Sequence, residues 1–277
     1  MPELPEVETV VRHLRPQLVG QGITGFTAHW AKVTAPATPD EFARQVVGRS
    51  IRAVDRRGKF ILLGLKHGLV HIHLRMTGRL QVTPPGARDA PAHVSAVFEL
   101  SSGGQLLFRD ARKFGRIGYL DSSAALDESL GPEPLSEAFS PQRFRRMLAG
   151  RRRQIKPLLL DQAFIAGLGN IYVDEALFQA RIHPLTRAHR LSPRKATALH
   201  RAIRNTLQAS IDRQGTTFIS FGFGNGQTGS FREQLQIFGR QGEPCPVCGA
   251  GIVKTRVAQR GTHLCPRCQR LRAPRKA

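Results

Sequence analysis

The sequence predicts an α+β fold in two parts, and three observations predict it. Short apolar or alternating runs crowd the stretch from Gly22 to Leu120, helix-start signals punctuate the stretch after Ser140, and all four cysteines fall within the last 33 residues. The first pattern reads as a β-sandwich with flanking helices, the second as a helical region and the third as a metal-stapled terminal module. A length of 277 residues is enough for two domains with real cores.

The chain opens Met1-Pro2-Glu3-Leu4-Pro5-Glu6. Removal of Met1, which the small Pro2 side chain permits, would leave a secondary amine one residue from a carboxylic acid. An N-terminal amine titrates at about 7.7 to 8, far below a lysine at about 10.4, so a useful fraction is nucleophilic near neutral pH. Such an amine can condense with an aldehyde-like sugar carbon to give an iminium. From Glu6 to Val19, the residues Val7, Val10, Val11, Leu14 and Leu18 recur at helical spacing between polar residues. This amphipathic helix anchors a terminus that would otherwise fray.

Strands are expected at Phe60 to Leu65, Leu69 to Leu74, Val94 to Leu100, Gln105 to Arg109 and Arg116 to Leu120, joined by short glycine-bearing turns as antiparallel hairpins. A short helix is expected around Asp40 to Val47. Lys59 starts one strand, and from its neighbours alone it reads as a solvated strand-end lysine. Two loops place Met76 and Phe114 among basic residues: His73-Leu74-Arg75-Met76-Thr77-Gly78 and Asp110-Ala111-Arg112-Lys113-Phe114-Gly115-Arg116. Either these two side chains fold back into the core, or they are wedges of the kind inserted between base steps, beside arginines that read base edges or phosphates.

The linker falls in Asp121 to Ser140, which carries Gly131-Pro132-Glu133-Pro134 and no strong periodicity. Ser140-Pro141 then caps a helix that stops near Gly150, and Ser192-Pro193 caps a long one with the stripe Leu199, Ile203, Leu207 and Ile211, ending at Gly215. Between them, Gly167-Leu168-Gly169-Asn170 makes a tight turn directly before a helix, a start whose N–H groups and dipole accept a phosphate. A second turn at Ile182-His183-Pro184-Leu185 follows. Residues 215–231 are rich in glycine and phenylalanine and read as a flap over a ligand.

Cys245-x-x-Cys248 and Cys265-x-x-Cys268, separated by sixteen residues, have the spacing of a structural tetrahedral zinc site. The residues from Ile252 to Leu264 read as a hairpin with Gln259-Arg260-Gly261 at its tip, presenting Arg260 on a rigid point. Lys and Arg number 42 against 20 Asp and Glu, giving +22 and a pI near 11.4, the balance of a protein that meets a polyanion. No signal peptide or membrane span is visible, so the expectation is a soluble, intracellular monomer.

Together these motifs resemble the bacterial formamidopyrimidine-DNA glycosylases, bifunctional DNA glycosylase/AP lyases. The resemblance rests on Pro2-Glu3-Leu4-Pro5-Glu6-Val7-Glu8-Thr9, Lys59, Asp110 to Gly115, Gly167 to Leu177 and the terminal cysteines. It implies domains at 1–132 (catalytic β-sandwich), 133–240 (helix-two-turn-helix) and 241–277 (zinc finger), with oxidised or abasic duplex DNA as partner in a cytoplasmic, nucleoid setting. It further implies that Pro2 attacks the sugar carbon, Glu3 donates a proton, and Lys59 contacts a phosphate beside the lesion. Arg260 and Asn170 would grip flanking phosphates, with His93, Arg112 and Lys156 also binding DNA, and Met76, Arg112 and Phe114 filling the gap left by a flipped nucleotide. Glu6 looks like a further site neighbour, and Zn2+ is the one implied metal. One departure is Phe238-Gly239-Arg240, where related sequences commonly carry tyrosine. Rival readings are an endonuclease VIII-like enzyme for oxidised pyrimidines and a non-catalytic zinc-finger DNA-binding protein.

Overall fold

The computed structural model describes residues 1–87, 92–216 and 230–271. Most of the segment read as a flap, residues 217–229, lies outside these. The chain forms two compact units. One holds Met1–Glu128 with Gln214, Gly215, Thr216 and Ser230; the other holds Ser129–Arg213 and the chain from Phe231 onward.

The first unit begins with α1 (Leu4–Leu18), whose Pro5 lies in the first turn where a missing N–H costs nothing. Then come β1 (Ile23–Ala28), α2 (Pro39–Val46), β2 (Ala53–Arg57), β3 (Phe60–Gly64), β4 (Leu69–His73), β5 (Arg79–Thr83), β6 (Val94–Leu100), β7 (Gln105–Arg109), β8 (Arg116–Leu120) and α3 (Ala124–Ser129). The strands make two antiparallel sheets, ordered β1-β6-β7-β5 and β2-β3-β4-β8. The expected sandwich is present, with three strands, β1, β2 and β5, that the apolar runs did not single out.

The buried face of α1 (Val7, Val10, Val11, Leu14 and Leu18) joins Ile61, Leu63, Val70 and Ile72 of one sheet and Phe98 and Phe108 of the other in a single core. At about 1.5–3 kcal/mol per fully buried aliphatic or aromatic side chain, this face alone holds the N-terminal helix in place. Phe42 of α2 packs edge-on against Phe26 and Phe98, with ring centroids 4.7 and 6.1 Å away.

The second unit carries α4 (Pro141–Leu148), α5 (Ile155–Leu159), α6 (Asn170–Gln179) and α7 (Pro193–Asp212), then β9 (Val253–Val257) and β10 (Arg260–Leu264) as a two-stranded hairpin. Both serine caps form as the sequence predicts: Ser140 Oγ accepts from Arg143 N at 3.2 Å and Ser192 Oγ from Lys195 N at 3.3 Å. The α7 stripe is buried throughout. Around the cysteines the core is small, Phe178, Ile237, Ile252, Cys245 and Cys265, too little to hold the terminal module unaided.

The hairpin differs from expectation by one residue. Its two turn positions are Ala258 and Gln259, both at positive φ (46° and 61°), and Arg260 is already the first residue of β10. Gly261 looked like the turn residue, but it pairs with Arg256 inside the ladder.

Candidate active site

At the N-terminus, Pro2 and Glu3 are buried and Met1 is half exposed. Glu3 is the N-cap of α1, and its N–H donates to Glu6 Oε2 at 2.9 Å. The other oxygen of Glu6 accepts from both the N–H and the hydroxyl of Thr216, each at 2.9 Å. Glu6 thus ties the amine-bearing end of the chain to the residue that leads into 217–229.

Lys59 sits in the β2–β3 turn and is only 6 % exposed. This corrects the reading of a solvated strand-end lysine. Phe60 faces His73 across the β3–β4 ladder with their rings 4.8 Å apart, which brings Lys59 beside His73. Burial, reinforced by the positive charges of Arg75 and Lys59, pushes the His73 imidazole down to about 3. Arg75 N donates to its Nδ1 at 3.0 Å, so the neutral ring carries its proton on Nε2 and remains a fixed donor at physiological pH. The sequence reading missed His73. Its signal was the position, two residues after His71 on the same face of β4, opposite the core-facing Val70 and Ile72.

The two turns that hold Met76 and Phe114 meet. Asp110, 1 % exposed, accepts from Gly115 N at 2.6 Å, from Arg112 N at 3.2 Å and from the Thr77 hydroxyl, so one carboxylate binds both turns together. Any side chain at Gly115 would collide with the Phe108 ring. Above this anchor, Met76 is 44 % and Phe114 47 % exposed, so neither folds into the core. The Arg112 guanidinium lies 4.7 Å over the Phe114 ring and 3.3 Å from the Met76 sulfur. Exposed His93 is close by, its carbonyl accepting from Asp110 N at 2.9 Å and its φ at +65°. Two apolar tips and an arginine thus stand together in water, held from below by Asp110.

In the second unit, the Gln162 side chain pins the turn before α6, donating to Leu168 O at 2.8 Å and accepting from Gly167 N at 3.0 Å. The first turn of α6 carries no acid, leaving its positive dipole end for an anion. Asn170, its first residue, donates to Gly261 O at 2.9 Å. Lys156 donates to the same carbonyl at 3.1 Å and to Asp174 Oδ1 at 2.6 Å. Asp174 Oδ2 accepts from His263 N at 2.9 Å. This cluster fixes the hairpin against α5 and α6, with Arg260 exposed next to it.

Lys156, which the resemblance assigns to DNA, is placed in the interior. Its side chain is wholly buried and ion-paired with an equally buried Asp174, so in this structure the ammonium serves the hairpin rather than the surface. Part of the signal was available: Lys156 stands alone in an apolar stretch and needs a buried partner, although Asp174 and Glu175 adjoin in α6 and the sequence does not say which serves. Glu175, also missed, accepts from the N–H groups of Gln236, Ile237 and Phe238 at 2.9 to 3.0 Å, while burial pushes its carboxyl up. These bonds hold Phe238, whose ring packs edge-on to His263 with centroids 4.9 Å apart.

The four cysteine sulfurs lie within 4.8 Å of one another, with two of the separations at 3.5 and 3.9 Å. A tetrahedron with Zn–S of about 2.3 Å has edges of about 3.8 Å, so the thiolates fit a single structural zinc ion. Closing four ligands leaves no open position for chemistry.

An antiparallel sandwich with two exposed apolar turn tips, a helical unit whose α6 start carries no acid and a four-cysteine hairpin make the architecture of a zinc-containing DNA-binding protein. Comparison with known proteins makes that class specific. Residues 1–117 match the formamidopyrimidine-DNA glycosylase N-terminal domain, 130–221 its H2TH domain, and 242–271 the zinc finger found in FPG and IleRS. The formamidopyrimidine-DNA glycosylase of Chloroflexus aurantiacus is 48% identical over 273 residues, covering 97% of this chain and 98% of that protein. A Lactococcus lactis FPG mutant in complex with a Fapy-dG containing DNA is 36% identical, covers 98% of this chain and 100% of its own, and superimposes with a TM-score of 0.89. A MutM structure in complex with carbocyclic 8-oxo-G containing DNA, 37% identical over 98% of this chain and 100% of its own, has the same TM-score of 0.89. The chain belongs to the formamidopyrimidine-DNA glycosylase family.

Proposed function

We infer that this protein is a base-excision-repair DNA glycosylase with AP lyase activity, which removes oxidised purines such as 8-oxoguanine and formamidopyrimidines from duplex DNA. The observation that carries the reading is the wedge: Met76 and Phe114 stand in water with Arg112 held between them by Asp110. A glycosidic bond inside the stack is hidden, so the nucleotide must leave it, and inserted side chains offset the few kcal/mol of unstacking. Arg112 can donate to an orphaned cytosine, which favours a lesion that was a guanine.

In the proposed chemistry, loss of Met1 frees the Pro2 amine. Its lone pair attacks the sugar C1′, the bond from C1′ to the base breaks with its electrons on the base, and Glu3 supplies the proton that opens the sugar. The resulting iminium acidifies the C2′ proton. Loss of that proton expels the 3′ phosphate, and a second elimination expels the 5′ phosphate. Lys59, Asn170 and Arg260 are assigned to phosphates beside the lesion and His93 to the DNA near the wedge. The four cysteines hold zinc, whose role is to staple the hairpin that presents Arg260.

Borohydride reduction of a reaction on duplex DNA with 8-oxoguanine opposite cytosine should trap a covalent protein–DNA adduct, and Pro2→Gly should lose most of it. Absence of an adduct from protein confirmed to begin at Pro2 would overturn the reading in favour of a binding module. Faster cleavage of thymine glycol than of 8-oxoguanine would move it to the pyrimidine-lesion class.

A further inference from the structure

Outside the residues assigned to DNA, the second unit carries a groove of about 480 Å³ between α4, the 188–191 turn and α7. Its floor is apolar, with Leu148, Leu191 and Ala196, and its rim is basic, with Arg145, Arg146 and His189. None of its lining residues comes from α5, α6 or the β9–β10 hairpin. We propose that this groove docks an acidic peptide segment of a partner protein, which seats one apolar side chain on the floor and its carboxylates on the arginine rim.

The argument rests on charge and on shape. From residue 138 to 160, and again from 181 to 211, the sequence contains no Asp or Glu, while exposed arginines recur at 143, 145, 146, 151, 152, 187, 190 and 194. The two stretches are laced side by side: His189 N donates to Arg151 O at 3.1 Å and Ala188 N to Arg153 O at 3.0 Å. Arg153 pairs with Asp161 at 2.7 Å, but Arg145 and Arg146 have no ion-pair partner among the described residues. Two unpaired guanidinium groups at one rim favour carboxylates, which they can grip bidentately.

The floor selects between polyanions. A duplex presents phosphates and sugars to a basic face and has no apolar side chain to offer a groove. An acidic peptide with one large apolar residue complements both floor and rim, in the manner of an anchor residue set in a polar ring. The basic rim would also speed the encounter and make it sensitive to salt.

The test uses the full chain and a fluorescein-labelled decapeptide of Asp and Glu around a single Phe, read by anisotropy at fixed ionic strength. The peptide should bind, and binding should weaken at least tenfold for the double variant Arg145→Glu/Arg146→Glu and for a peptide with Gly in place of Phe. The control Arg44→Glu/Arg52→Glu carries the same change in net charge and should bind the peptide normally. Both variants should still cleave an abasic duplex at the wild-type rate. The proposal is overturned if the labelled peptide does not bind, if the Gly peptide binds equally well, or if the control loses as much affinity as the rim variant. It is also overturned, in favour of a second nucleic-acid face, if the rim variant loses affinity for undamaged duplex in step with its loss for peptide.

Discussion

Two buried aspartates, one in each unit, do the same job by different means. Asp110 ties the Met76 and Phe114 turns together using only uncharged donors, two backbone N–H groups and a threonine hydroxyl. Asp174 ties α6 to the hairpin behind Arg260 using an ammonium, Lys156, and one backbone N–H. The difference follows from what each must hold. Asp110 clamps two turns already fastened to a sandwich with a large shared core, so neutral hydrogen bonds suffice. The hairpin has only a few buried side chains and a metal of its own, so its attachment leans on a buried ion pair. Such a pair contributes little against an apolar alternative, yet removing half of it is severe, because a bare charge is left out of water.

That contrast sets the largest expected effect. Lys156→Met should cost roughly 3–5 kcal/mol, the usual penalty for stranding a fully buried carboxylate. Chemical denaturation of the zinc-loaded protein checks the magnitude. The double variant Lys156→Met/Asp174→Leu should recover part of the loss, and if it does not, the ion pair is not what holds the hairpin. Asp110→Asn should cost less, about 1–3 kcal/mol, since the amide NH2 now faces one of the donors that Asp110 satisfied. Its signature should be local: proteolysis or hydrogen exchange in the 76–78 and 110–115 turns rises while the sandwich core stays protected.

A smaller effect separates the units by pH. The His73 ring is held neutral down to about pH 3, whereas the unfolded chain takes up a proton near 6.5. Between those values the unfolded state binds more protons, so this group's contribution to stability is intact above pH 6.5 and declines as pH falls towards 3. The slope from one such group is at most about 1.4 kcal/mol per pH unit. His73→Gln should flatten the acid limb of the stability curve by up to that amount. An unchanged slope would show that the ring is reached by water in solution.

Much of this was legible in the sequence, and what was not shares a physical cause. The α1 stripe, the serine caps and the paired cysteines are local patterns, in which the residues that matter stand within a few positions of each other. The clamps are not local. Thr77 and Asp110 are 33 residues apart, Lys156 and Asp174 18, and Glu6 and Thr216 210. A sequence shows that a lone charge in an apolar stretch needs a partner without showing which one. From its neighbours alone Lys59 reads as solvated for the same reason, since nothing beside it in the chain announces His73. At the hairpin the local signal itself misled: Gly261 drew the turn towards itself, while Ala258 and Gln259 accept the positive φ the turn requires.

The smallest effect on stability should accompany one of the larger effects on function. Phe114 is half exposed and its ring contact is with Arg112, so Phe114→Ala should change unfolding free energy by no more than about 0.5 kcal/mol. If the ring offsets even 1.4 to 2.8 kcal/mol of the unstacking cost, its loss should slow excision of 8-oxoguanine from duplex by about tenfold to a hundredfold. An abasic site in a single strand has no stack to break, so the variant should cleave it at close to the wild-type rate. The ratio of the two rates isolates the wedge from the amine chemistry, which the substitution does not touch. Equal losses on both substrates would mean that Phe114 supports the reacting sugar itself, and the wedge assignment would have to be given up.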